Sequence, residues 1–365
     1  MRIAMIGSRG IPAREGGVER VVEQITGELV ALGHEVLVYC RRHYVGSAPA
    51  PVAGRAIPTP GLAGKHLDTF THTGTAMLDV LRRRVDVVHI HSPGPALWSW
   101  IPAAAGLGIV FTVHAPDWRR AKWSLPAKGL IRAGLACGMR FADAVTTVSG
   151  PLATELGELY DREIITIPNA TCPARLQPPE TISRWRLEPD GYGLYVGRIV
   201  PEKRLDLLLR AWTNAGGGRP LVVVGDADEN RYARACKKLA GPNVMFVGRQ
   251  HGKVLAGLYS HAAMVIQPSV LEGMSLVLLE AAAYGRCILA ADIPENRRIM
   301  GEAILYFQSD DIDELRGQIR GWLSKDTSCR SELGMKARSV VSEVFSWPEA
   351  ASALESVYLR VVQER

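Results

Sequence analysis

Long apolar runs are missing from this 365-residue chain: it has no stretch of eighteen, so it offers no candidate for a transmembrane helix. The amino terminus shows neither the extended apolar core nor the cleavage site of a secretory leader. It enters directly at Arg2-Ile3-Ala4-Met5-Ile6-Gly7, which reads as a strand and a turn. Cysteines are few and scattered (Cys40, Cys137, Cys172, Cys236, Cys287, Cys329), with no Cys-x-x-Cys pair. That argues against a disulfide framework or a zinc site and for a reducing, cytoplasmic setting. A dense basic face is lacking too. The net charge is +6, and no basic-aromatic alternation suited to single strands occurs, so nucleic acid is not an expected partner. Acid is absent locally, between Trp118 and Ala142, where Arg119, Arg120, Lys122, Lys128, Arg132 and Arg140 stand among Trp118, Trp123, Leu125, Leu130, Ile131, Leu135 and Phe141. Such a stretch either packs its apolar side on the core or lies on an anionic membrane surface, peripheral at its inner face.

What is present is a long alternation of short β-branched runs with helical patterns. Strands are expected at 2–6, 35–40, 85–90, 109–113, 144–148 and 164–167, then at 193–196, 220–224, 243–247, 263–267, 287–290 and 303–307. Helical periodicity fills most gaps, as at 17–32, 205–215 and 311–323. Strands that are apolar on both faces and alternate with helices imply parallel sheets covered on both sides, one set per half. Prolines cluster at Pro168 and Pro173 and again at Pro178-Pro179, and helical periodicity lapses there. The expected organisation is an amino-terminal domain over 1–172, a carboxyl-terminal domain over 173–346 and a terminal helix over 347–365 that starts at Pro348.

The segment richest in chemistry is Glu272-Gly273-Met274-Ser275-Leu276-Val277-Leu278-Leu279-Glu280. It follows the apolar strand Met264-Val265-Ile266-Gln267 and runs into Ala281-Ala282-Ala283 and Gly285. It therefore reads as strand, tight loop and helix start, with the amides of Gly273, Met274, Ser275 and Leu276 at the positive helix end, a ready anion site. Glu280 would lie two turns inside the helix, on the order of 12 Å from Glu272, a spacing that suits a nucleotide sugar. In the loop after the first strand of the second half, Gly197-Arg198-Ile199-Val200-Pro201-Glu202-Lys203, Arg198 and Lys203 can both address a diphosphate. In the first half, Gly7, Gly10, Gly16 and Gly17 permit close backbone approach before a helix whose first turn carries Glu19, a dipole-stabilising acid or a polar group at the cleft. His114 ends the strand Thr112-Val113-His114 and faces a crevice. His89 and His91 alternate along another strand and read as structural, with His91 nearer the strand end. Asp226-Ala227-Asp228 has the form of a metal-binding pair of acids, yet the phosphate contacts are already supplied by other groups, so no metal is expected.

Together these segments resemble the family-4 retaining glycosyltransferases over essentially the whole chain. The E-x7-E motif falls on Glu272 and Glu280, the G-R-x4-K loop on Gly197, Arg198 and Lys203, the glycine-rich first loop on Gly16 and Gly17, and the T-x-H strand end on Thr112 and His114. Ile6-Gly7-Ser8-Arg9-Gly10-Ile11-Pro12, Lys65-His66-Leu67-Asp68-Thr69 and Asp117-Trp118-Arg119-Arg120-Ala121-Lys122-Trp123 are similar to a bacterial subgroup of surface-polysaccharide, rhamnosyltransferase-like enzymes. The chain departs from the family pattern at Ala115, Ala170 and Ala227, where glycine is usual; no charged candidate is lost.

The resemblance implies an α/β protein of the GT-B fold, two Rossmann-like parallel-sheet domains facing across a cleft, with the acceptor on the first and the sugar nucleotide on the second. It implies that Arg198 and Lys203 neutralise the diphosphate and that Glu280 binds the ribose. Glu272 and the amides of Gly273 to Leu276 would engage sugar and phosphate, Arg249 would lie near the base, and His114 would serve catalysis. The donor would be UDP-, GDP- or dTDP-linked, the acceptor a glycan or lipid-linked sugar, and no cofactor beyond the donor substrate is expected. A sugar-nucleotide epimerase of similar fold, or a non-catalytic sugar-nucleotide-binding partner, are the alternatives.

Overall fold

The computed structural model describes residues 1–14, 16–45, 52–62, 64, 67–121, 123–226 and 230–365. The chain divides into two compact units, Met1–Asn169 together with Trp347–Arg365, and Ala170–Ser346.

The first unit is built on seven parallel strands: β1 (Arg2–Ile6), β2 (Glu35–Arg41), β3 (Arg55–Thr59), β4 (Val87–His91), β5 (Gly108–Val113), β6 (Ala144–Thr147) and β7 (Ile165–Thr166). They are ordered β3-β2-β1-β4-β5-β6-β7. Every residue of β4 and β5 is buried. This is what a continuous apolar run predicts for a strand covered on both faces. The helix Gly17–Ala31 turns Val21, Val22, Ile25 and Leu29 inward, a spacing that lays one stripe along the sheet. The helix Trp347–Gln363 buries Ala351, Leu354, Val357, Tyr358 and Val361 and packs in this unit against the helix Gly17–Ala31 and β5. It begins one residue before Pro348, whose ring suits a helix's first turn.

The second unit carries six parallel strands: β8 (Gly193–Val196), β9 (Leu221–Val224), β10 (Val244–Gly248), β11 (Met264–Gln267), β12 (Ile288–Asp292) and β13 (Leu305–Gln308). Their order is β10-β9-β8-β11-β12-β13. One face of this sheet joins Leu205, Leu208, Leu209 and Trp212 with Leu315 and Ile319 in a single core.

Twelve of these strands lie where periodicity expects them, within a few residues. β3 does not appear among the expected strands, because Arg55-Ala56-Ile57-Pro58-Thr59 contains a proline. It is an edge strand that pairs only with β2, and an edge strand tolerates the missing N–H. All six cysteines are free thiols. Among the described residues, no helix is long and apolar enough to cross a membrane.

Candidate active site

Strand order in the second sheet reverses between β8 and β11. Open parallel sheets bind ligands outside the carboxyl ends of their strands at such a point. The loops that follow β8 and β11 run side by side here, with the Val270 N–H donating to the Glu202 carbonyl at 3.1 Å. Lys203, at the end of the first loop, is ion-paired through Nζ to Oε1 of Glu272 in the second. Gln267, the last residue of β11, donates Nε2 to the same carboxylate oxygen at 2.8 Å and to Ser275 Oγ at 2.6 Å. Ser275 caps the helix Leu276–Ala283, its hydroxyl accepting from the Leu278 N–H at 3.4 Å. Gly273 and Met274 lie between Glu272 and this cap.

Burial pushes the Glu272 carboxyl upward, but Lys203 and the hydrogen bonds of Lys203, Ser269 and Gln267 outweigh it and hold the group below the usual carboxylate range. It is therefore an ionised, immobilised acceptor beside the positive end of a helix. Gln267 is the site residue that sequence reasoning passed over. A polar residue closing an apolar strand was its only local signal.

The other expected residues of this unit have separate partners. Because Ser275 starts the helix, Glu280 lies one turn inside it rather than two, and it accepts from Tyr259 Oη at 3.0 Å. The Arg198 side chain is exposed in the loop after β8, while its carbonyl accepts from Tyr195 Oη at 3.1 Å. Arg249 pairs with Asp226 at 2.7 Å. Asp226 thus faces a guanidinium; Ala227 and Asp228 lie outside the described residues, as do Lys65, His66 and Lys122. Among the described residues, no group of three or more His, Cys, Asp or Glu has the geometry to hold a metal ion.

In the first sheet the order reverses between β1 and β4. The loop after β1 is threaded closely past β4. Gly7 has φ +115°, and a Cβ there would meet the His91 carbonyl oxygen at 2.2 Å. Gly16, at φ +82°, precedes Gly17 at the helix start, and a Cβ there would meet Glu19 Oε2 at 2.2 Å. The Glu19 carboxylate is buried and accepts from the Arg9 N–H at 3.1 Å, so it ties this loop to its helix. Asp68, from the subgroup-like segment, is buried against Arg41 at 2.7 Å.

His89, His91 and His114 form a buried cluster. His89 reaches Tyr358 Oη at 2.7 Å and Thr112 Oγ1 at 2.6 Å. His91 Nδ1 lies 3.0 Å from His114 Nε2, and His91 Nε2 lies 3.3 Å from Met5 Sδ. Burial drives all three imidazoles toward the neutral form, His89 to about 3, His114 to about 4 and His91 well below the usual value. Neutral imidazole carries one proton, and a thioether can only accept. The Met5 contact therefore puts the His91 proton on Nε2 and leaves its Nδ1 as an acceptor. His114 must then donate from Nε2, which leaves His114 Nδ1 a bare lone pair. Among the described residues that nitrogen has no hydrogen-bond partner. A cavity of about 30 Å³ lies against the cluster, also bounded by Asn169 and Trp347. His114 Nδ1 is in consequence left as a hydrogen-bond acceptor, and His91, read as structural from sequence, sets it so.

The basic segment 118–142 divides into a part packed on the core and an exposed helix. Trp118 is 8% exposed and sits in the core, and Trp123 packs partly buried against it. Arg119 pairs with Glu155 at 2.6 Å and Arg120 with Asp117 at 2.7 Å, so acids outside the segment compensate part of its charge. The helix Leu125–Phe141 retains the amphipathic character. It buries Ile131, Leu135 and Met139 and leaves Leu125 at 83%, Leu130 at 48% and Phe141 at 37% exposure, with Lys128, Arg132 and Arg140 and no acid in its length.

Known proteins share this architecture and sequence pattern. Residues 15–175 match the family described as Glycosyltransferase Family 4, and residues 182–340 match Glycosyl transferases group 1. Glycogen synthase of Mycobacterium tuberculosis is 26% identical over 98% of this chain and 94% of its own. Phosphatidyl-myo-inositol mannosyltransferase of Mycolicibacterium smegmatis is also 26% identical, over 98% and 93%. Among solved structures, sucrose-phosphate synthase from Thermosynechococcus elongatus superposes with a TM-score of 0.84 at 21% identity over 100% of both chains. Anabaena HepE in complex with UDP and glucose gives 0.80 at 16% identity, over 98% of this chain and 99% of that one. The fold is GT-B, and with both halves matched this chain belongs to the family-4 glycosyltransferases, enzymes that draw on a nucleotide-sugar donor.

Proposed function

We propose that this protein is a retaining transferase that moves a sugar from a nucleoside-diphosphate sugar to a hydroxyl of a lipid-linked or polysaccharide intermediate in cell-surface glycan assembly. The observation that carries the reading is the Lys203–Glu272 pair at the strand-order switch of the second sheet, beside the amino end of the helix Leu276–Ala283. Cleaving the anomeric C–O bond builds oxocarbenium character on the sugar and negative charge on the departing diphosphate. Preorganised positive groups at that diphosphate are the largest stabilising contribution available. Arg198, Lys203 and the amides from Gly273 to Leu276 have this role. Glu272 engages the sugar, Glu280 the ribose hydroxyls, and Arg249 the neighbourhood of the base. His114 accepts a hydroxyl proton in a hydrogen bond through Nδ1. The acceptor hydroxyl attacks on the face the diphosphate leaves, and its proton passes to a leaving-group phosphate oxygen.

A lipid-borne acceptor is supported by the exposed apolar residues of the helix Leu125–Phe141, which carries Lys128, Arg132 and Arg140 and no acid in its length, and by a curated relative named for a phosphatidylinositol substrate. No bound metal takes part in this reading. The test is a panel of UDP-, GDP- and dTDP-sugars with lipid-linked acceptors, with the anomeric configuration of the product read by NMR. Retained configuration, acceptor-dependent release of the nucleoside diphosphate and activity in excess EDTA are expected. Interconversion of the sugar nucleotide without an acceptor would assign the protein to an epimerase instead, and inverted product would remove the retaining mechanism.

A further inference from the structure

At the amino-terminal end of the strands of the first sheet, opposite the end that carries His114 and Gly16, five arginines surround one cavity. Arg2 begins β1 and Arg55 begins β3, while Arg82, Arg83 and Arg84 form the turn that leads toward β4. With Leu37 they line a space of about 260 Å³. Two of the five are held by acids. Arg2 is clamped by Glu35 at 2.8 and 2.9 Å and donates to the Arg83 carbonyl at 2.7 Å; Arg83 is paired with Asp79, which also accepts from Tyr39 Oη at 2.8 Å. Arg55, Arg82 and Arg84 are exposed and form no ion pair among the described residues. Arg84 has φ +50°, a conformation that an arginine adopts at a cost. The carboxylates nearby are Glu35, Asp79 and Asp86, three against five guanidiniums.

Guanidinium groups repel one another unless an anion lies between them, and their planar forks match the oxygens of a phosphate. The cavity is larger than a bare phosphate needs and smaller than the pockets that enclose drug-sized ligands. We infer that this arginine-lined cavity is a second anion site of the protein, taking a phosphate monoester through Arg55, Arg82 and Arg84 against walls fixed by Arg2 and Arg83. The ligand chemistry is a dianionic phosphate on a small organic body. A soluble metabolite and a lipid headgroup present the same group.

The full-length enzyme would be titrated calorimetrically with glycerol 3-phosphate and with inorganic phosphate, at fixed ionic strength made up with chloride. Vesicle flotation would compare phosphatidic acid with phosphatidylcholine. Saturable binding is expected in the wild type, weakened about tenfold or more in R55A/R82A/R84A. These side chains are exposed and unpaired, so circular dichroism and transferase activity should match the wild type. R198A, altered at the proposed donor site, should keep the response. Triple-variant loss of flotation on phosphatidic acid would identify a lipid source; loss of glycerol phosphate binding without any flotation difference would identify a soluble one. The proposal is overturned if the wild type shows no saturable binding to either probe, if the triple variant binds equally well, or if R198A abolishes the response.

Discussion

Lys203 and Glu272 are 69 residues apart in the chain, and their side chains meet as an ion pair where the strand order of the second sheet reverses. Both are largely shielded from water, at 17% and 10% side-chain exposure, so each charge depends on the other. Removing one partner of such a pair leaves a buried charge uncompensated, at a cost of about 3–5 kcal/mol. Lys203→Ala should therefore lower both stability and turnover, the latter by about 10²-fold or more, because one charge-stabilising donor is worth roughly 2.7–4 kcal/mol in the transition state. Arg198→Ala should lower turnover to a similar degree. A Lys203→Met/Glu272→Leu double variant should regain stability but not activity. Thermal unfolding and steady-state kinetics read the two effects separately, and near-wild-type turnover in both single variants would remove the diphosphate assignment.

Glu272 and Glu280 should respond differently. Glu280 contacts Tyr259 and is assigned to the ribose, a contact alike in ground and transition states, so Glu280→Ala should raise KM for the donor with kcat little changed. Glu272 is assigned to a sugar ring that flattens during reaction, so Glu272→Gln should mainly lower kcat. Equal effects of the two substitutions on nucleoside-diphosphate affinity, measured by calorimetry, would contradict this division.

The Met5–His91–His114 chain predicts a single tautomer for His114, with the proton on Nε2 and a bare Nδ1. NMR of protein labelled with 15N-histidine should display that pattern at neutral pH. His91→Leu removes the acceptor that orients His114 and should give mixed tautomers with a lower turnover. His91→Asn restores an acceptor oxygen near the lost Nδ1 and should recover both. A His114 protonated on Nδ1 in the wild type would refute the relay.

Acid should destabilise the protein at a higher pH than carboxylate titration alone would cause. In the unfolded chain, histidine takes up its proton near pH 6.5. In the fold, burial holds His89 to about 3 and His114 and His72 to about 4. Between these values the unfolded chain binds more protons, so stability is complete above about pH 6.5 and is lost as pH falls toward 4, by up to about 1.4 kcal/mol per pH unit for each group. The depressed Glu272 adds a loss of the same sign at lower pH. Melting temperature followed from pH 7.5 to 4.5 should decline from near 6.5; a flat profile down to pH 5 would show that these imidazoles are not buried as described.

The helix Leu125–Phe141 should bind anionic membranes through Leu125, Leu130 and Phe141 with Lys128, Arg132 and Arg140. Each basic residue near such a surface contributes about 1 kcal/mol. Flotation with phosphatidylserine vesicles at low salt should be lost in Lys128→Glu/Arg132→Glu/Arg140→Glu and weakened in Leu125→Ser/Leu130→Ser, with circular dichroism unchanged. Arg119→Glu should matter less, since Arg119 is paired with Glu155. Wild-type protein that stays with the pellet would end the membrane assignment.

Much of this protein is legible in its sequence because the information is local. Buried parallel strands announce themselves as short apolar runs, and loops that carry Arg198, Lys203 and Glu272 follow directly at their ends. Backbone periodicity and turn chemistry need no distant partner to be read. The tertiary structure alone decided which groups meet. It placed Trp118 in the core and set Glu155 against Arg119, although the stretch from Trp118 to Ala142 contains no acid of its own. It made β3 a strand despite Pro58, because only one of its edges is paired. It brought Gln267 to Glu272, Tyr358 to His89, and Met5 through His91 to His114. Hydrogen-bond partners and the desolvation that shifts a pKa depend on neighbours supplied by remote segments, and no local pattern encodes these.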